Sequence, residues 1–104
     1  MANTATTLRF TTQNGFAPEY APGARTDAHW RMATHNRNTY VLTAEGDGTG
    51  GWGANRSRPA GYALYVNGRQ VNRQQVRGQF RYANAGYFAT LAEARRAAEM
   101  MASE

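Results

Sequence analysis

Arg69, Arg73, Arg77 and Arg81 recur at every fourth residue. In a strand that spacing keeps the side chains on one side, about 13 Å apart. In a helix it drifts only about 40° per step, so either conformation yields a basic stripe. Guanidinium forks suit bidentate contact with phosphate or carboxylate, which makes an oxyanion the natural partner of such a stripe. The stripe lies inside a longer block: residues 48–92 contain no Asp or Glu, and Arg56 and Arg58 bring the block to six cations, or +6. The first 47 residues set Arg9, Arg25, Arg31 and Arg37 against Glu19, Asp27, Glu45 and Asp47. The last twelve set Arg95 and Arg96 against Glu93, Glu99 and Glu104, so the formal +5 of the chain is concentrated in the middle. The same block holds Trp52, Tyr62, Tyr65, Phe80, Tyr82, Tyr87 and Phe88. Positive charge interleaved with aromatics composes a surface for an anionic partner, nucleic acid first. The competing reading is a solvated charged face with no partner.

The remaining constellations narrow the chemistry. Gly46-x-Gly48-x-x-Gly51 and Gly48-x-Gly50-x-x-Gly53 both fit the dinucleotide-binding spacing, but Ala54-Asn55-Arg56-Ser57-Arg58-Pro59 follows where a helix would have to open. What remains is a Gly-rich loop over 45–60 carrying Trp52, Arg56 and Arg58, with the character of a lid or a partner-binding finger. Asp27, His29 and His35 share strand parity, yet a solvent-facing or satisfied pair of histidines is the simpler reading, and no metal is expected. No Ser–His–acid grouping and no convergent carboxylate pair is visible, so no enzyme and no cofactor are expected. With no cysteine the chain has no disulfide framework. Neither an eighteen-residue apolar run nor a leader-like segment is present, and the expectation is a cytoplasmic protein without a membrane partner. All twelve basic residues are Arg, and Lys and Ile are both absent. A G+C-rich genome explains that choice as readily as an anion site does, so the placement of the charges carries more than their identity.

These residues need elements to hold them. A chain of 104 residues is read as one domain spanning 1–104, with 1–5 a loose end. Alternation from Thr6 to Thr12 predicts a strand with Leu8 and Phe10 on one side. A second strand is expected around Trp30 and Met32, a turn at His35-Asn36-Arg37-Asn38, and a third strand over Thr39–Ala44. Tyr62–Val66, Asn67-Gly68 and Arg69–Arg73 predict a hairpin with a type I′ turn, pairing Val66 with Arg69, Leu64 with Val71 and Tyr62 with Arg73. That pairing puts Tyr65 on the face of Ala63, Gln70 and Asn72, where it could stack on a base or pack against a neighbouring strand. It also puts Arg69 and Arg73 on the apolar face, a conflict that a short helix from Asn72-x-x-Gln75 to Gly78 would relieve. Thr90 and Glu93 form a capping box, and Leu91, Ala94, Ala98 and Met101 mark one face of a C-terminal helix that Phe88 pins to the sheet. The fold class is α+β: a small antiparallel sheet of four or five strands with one C-terminal amphipathic helix on one face. Leu, Val and Phe total only twelve residues, a thin core that a homodimer would reinforce.

The run from Tyr62-Ala63-Leu64-Tyr65-Val66-Asn67-Gly68 to Tyr87-Phe88-Ala89-Thr90-Leu91-Ala92-Glu93-Ala94-Arg95-Arg96-Ala97-Ala98 resembles small hairpin-plus-helix domains common in phage and prophage genomes. Among them are the AP2-like arm-binding domains of phage integrases. The resemblance implies DNA binding through the sheet with the helix packed behind it. The resulting expectation is a small non-enzymatic binding protein of phage type whose Arg-rich block engages nucleic acid, through Trp52, Arg56, Arg58, Tyr65, Arg69, Arg73, Arg77 and Arg81. Two other classes remain open. One is a phage-encoded inhibitor of a host protein or nucleoprotein; the other is a structural homo-oligomer.

Overall fold

A computed structural model of the chain describes residues 7–14, 20–21, 29–45, 61–72, 75–76, 78–82 and 87–103. Strands β1 (Thr11–Asn14), β2 (His29–His35), β3 (Asn38–Glu45), β4 (Gly61–Val66) and β5 (Arg69–Gln70) precede helix α1 (Leu91–Ala102). The strands form one five-stranded sheet in the order β1-β2-β3-β4-β5, and each pairs antiparallel with its chain neighbour. This is the α+β architecture expected from the sequence.

Two-residue turns set the register. Asn36 and Arg37 have φ of 49° and 68°, and Asn67 and Gly68 have φ of 54° and 82°. Positive φ at both central residues is what a type I′ turn needs, because its twist matches that of the flanking strands. The second turn gives the expected pairing of Val66 with Arg69, and the Val71 N–H donates to the Leu64 carbonyl at 2.8 Å. The ladder then stops at Gln70, short of the expected Arg73. The place opposite Tyr62 belongs to Phe88, which forms a bridge with it through two backbone hydrogen bonds of 2.9 and 2.8 Å. An apolar ring thus stands on the helix-facing side where a regular hairpin would have put a guanidinium.

Strand alternation sends side chains to two buried layers. Tyr40, Leu42 and Leu64 meet Val71, Val76, Phe88 and the helix residues Ala94, Ala97 and Ala98. The three alanines project nothing beyond Cβ, so α1 lies close on β3 and β4. Val41, Ala63, Trp30 and Tyr65 point the other way and are buried with Ala21, flanked by Tyr20, Met32 and Tyr87. The consecutive run Tyr40–Thr43 is therefore buried on both sides. Thr90 caps the helix as expected, its hydroxyl accepting from the Glu93 N–H at 3.1 Å.

The first strand differs from its expected bounds. Pairing begins at Thr11, while Leu8 is 2% exposed and lies against the helix layer rather than in the ladder. Its N–H donates to Glu99 Oε2 at 3.0 Å and its carbonyl accepts from Arg95 Nη2 at 3.3 Å. Helix side chains satisfy the backbone groups that a strand partner would have taken.

Candidate nucleic-acid interface

Of the residues expected to form the site, Trp52, Arg56, Arg58, Arg73 and Arg77 lie outside the described residues, as does the Gly-rich stretch 46–60. Arg69, Arg81 and Tyr65 are described, and they part company. Tyr65 is 4% exposed and belongs to the layer opposite the helix, so it is a packing residue rather than a platform for a base. Its strand, β4, has β3 on one side and β5 on the other, and the face it shares with Trp30 and Val41 is covered.

Between Arg69 and Arg81 the described residues belong to neither one strand nor one helix. Beyond β5, Asn72 and Gln75 close a tight turn: the Gln75 N–H donates to the Asn72 carbonyl, and Gln75 Oε1 accepts from the Asn72 N–H, both at 3.0 Å. Gly78 sits at φ 103°, and a Cβ there would stand 3.2 Å from the Met100 methyl. Arg73 and Arg77, on which both the expected stripe and the short helix from Asn72 to Gly78 depend, lie outside the described residues. Regular spacing aligns side chains only on regular backbone.

Arg81 ends beside the helix. Its Nε is 3.8 Å from Glu93 Oε1, and its backbone N–H donates to Glu93 Oε2 at 3.4 Å. Arg96 shares that carboxylate at 3.0 Å, donates to the Gln79 carbonyl at 2.9 Å, and stacks 4.2 Å above the Phe80 ring. One turn away Arg95 pairs with Glu99 at 3.5 Å and lies 5.9 Å from the Phe10 ring. These three cations meet two carboxylates of α1, and they fasten the segments around Leu8 and Phe80 to the helix.

Two further arginines, Arg37 and Arg69, stand together elsewhere. In an antiparallel meander, every second turn emerges at the same end of the sheet. The turn between β2 and β3 therefore lies beside the turn between β4 and β5, with Tyr40 opposite Val66 just inside them. Asn67 ties the turns together. Its N–H donates to the Thr39 carbonyl and its Oδ1 accepts from the Thr39 N–H, both at 2.9 Å, while its Nδ2 donates to Asn38 Oδ1 at 2.8 Å. The turn centres are two strand spacings apart, about 10 Å. Each presents an exposed arginine, Arg37 on one and Arg69 beside the other. The ion pairs of arginine among the described residues involve Arg81, Arg95 and Arg96; Arg9, Arg31, Arg37 and Arg69 take part in none of them, and of these Arg37 and Arg69 share one end of the sheet. Half-buried His35 closes the β2 side of this end, opposite Asn38.

The sequence points to the Arg37 turn but not to Arg37 as a site residue. Counted along the chain it belongs to a balanced segment, and only the meander order brings it beside Arg69. Asp27 lies outside the described residues, and no group of three His, Asp or Glu side chains that could hold a metal occurs among those described. No helix among the described residues is long and apolar enough to cross a membrane. Comparison with family models, curated proteins and solved structures gives no match.

Proposed function

We propose that this is a small non-enzymatic protein that binds nucleic acid in the cytoplasm through the paired turns of its sheet, with Arg37 and Arg69 as the leading phosphate-binding groups. The observation that carries the reading is the contrast in pairing. Among the described residues, these two exposed arginines stand without carboxylates on turns braced by Asn67, while the helix-side arginines are matched to Glu93 and Glu99. An unmatched guanidinium on a braced backbone can offer a charge-assisted fork to a phosphate with little reorganisation. The excess positive charge of the whole chain supports the same reading by drawing a polyanion towards it. So does the resemblance of its hairpin and helix to phage integrase arm-binding domains, although here the sheet face opposite the helix is buried and the binding surface moves to the turns.

Fluorescence anisotropy with labelled DNA and RNA tests the proposal. Binding should be measurable at low salt and weaken steeply towards physiological salt, as counterion release requires. Absence of binding to either polymer at low salt would overturn it. A stable complex with a host protein that survives nuclease treatment would put an inhibitor in its place.

A further inference from the structure

Resting on that reading, we infer that the polymer held at the paired turns is a double helix gripped by its phosphates, not a single strand read by base stacking. Single-strand binding without sequence preference relies on aromatic side chains over which successive bases can slide. Here the described aromatics are engaged elsewhere. Trp30, Tyr40, Tyr65 and Phe88 are buried, Phe10, Tyr20, Tyr62, Tyr82 and Tyr87 are half-buried against the two core layers, and the Phe80 ring lies beneath Arg96 while meeting Phe88 edge-on at 5.8 Å. What the paired turns offer instead is charge and amide: Arg37 and Arg69 flank Asn38 and Asn67, whose side chains are already bonded to each other at 2.8 Å.

The spacing suits a regular polyanion. Turn centres about 10 Å apart fall within arginine reach of the phosphates on the two walls of a major groove about 12 Å wide. A single strand would have to be ordered to meet two cations on a braced frame, whereas a duplex presents its phosphates already fixed. Phosphate bonds of this kind position the protein without reading sequence, so affinity should depend little on base composition.

The test uses the full chain, a labelled DNA duplex of about 20 base pairs and each of its separated strands, titrated over a range of salt. The duplex should bind about ten-fold or more tightly than either strand. Arg37→Gly combined with Arg69→Ala should flatten the log–log salt slope for the duplex by about 1.8, or about 0.9 for each phosphate no longer neutralised. Single strands bound as tightly as the duplex, or a duplex salt slope unchanged in the double variant, would overturn this inference while leaving nucleic-acid binding intact. Failure of duplex and strands alike would overturn the parent reading as well.

Discussion

The carboxylates of one helix separate two sets among the described arginines. Beside α1, Arg81, Arg95 and Arg96 meet Glu93 and Glu99 within 3.8 Å and brace the chain segments on either side. At the paired turns Arg37 and Arg69 have no such partners among the described residues, and the backbone beneath them is held by asparagine instead. Each guanidinium carries the same formal charge, so what differs is whether a carboxylate already faces it. A guanidinium beside a carboxylate has part of its charge already balanced, whereas one without such a partner offers its full fork to a phosphate.

That comparison can be broken at its frame. Phe88 is 2% exposed, bridges to Tyr62, and lies against the Phe80 and Tyr82 rings. Phe88→Ala should cost about 3–5 kcal/mol of stability by opening a cavity between the sheet and α1, lowering the midpoint of chemical denaturation sharply. Near-parental stability in the denaturation curve would mean that α1 is not anchored as described.

A smaller effect is expected at the brace between the turns. Asn67→Ala removes the two side-chain hydrogen bonds to Asn38 and Thr39, and it places at φ 54° a residue that tolerates positive φ less well than asparagine does. The loss should be about 1–2 kcal/mol. Nucleic-acid affinity should fall with it at temperatures where the protein is still folded, because the two arginines lose their common support. Unchanged affinity in a folded Asn67→Ala protein would show that the turns need no common brace.

Glu93→Gln sharpens the contrast from the other side. The Glu93 side chain is only 16% exposed and serves Arg81 and Arg96 together, so neutralising it should lower stability by about 1 kcal/mol. Binding should hold or strengthen, since two cations are released. Weaker binding by a folded Glu93→Gln protein would put the helix-side arginines in the interface and erase the distinction between the two sets.

Local signals carry most of the fold. Asn67-Gly68 announces its turn because few residues accept positive φ, and Thr90 with Glu93 announces the helix because orphan N–H groups need acceptors. Non-local balance is hidden from such signals. The end of β5 at Gln70 depends on Phe88, eighteen residues along the chain, taking the place opposite Tyr62. The fate of Leu8 depends on Glu99 and Arg95 in the helix. The site is legible only in part for the same reason. Charge summed along the sequence favours a block from 48 to 92, whereas in three dimensions Arg81 is drawn to Glu93 and the meander brings Arg37 to Arg69. Tyr65 reads as open because a two-stranded hairpin has two free faces; in the five-stranded sheet both are covered.

Arg37 allows the most direct test, because stability and binding should move in opposite directions there. A residue with a Cβ held at φ 68° is strained where glycine is not, so Arg37→Gly should relieve up to about 1 kcal/mol and leave the fold at least as stable as the parent. If the arginine serves a phosphate, the same substitution should weaken duplex binding several-fold and flatten the salt slope by about 0.9. Thermal unfolding and anisotropy titrations on one Arg37→Gly preparation measure both. Equal or higher stability with a shallower salt dependence is the expected result. A destabilised protein, or one whose binding and salt slope match the parent, would contradict the division of labour between the two sets of arginines.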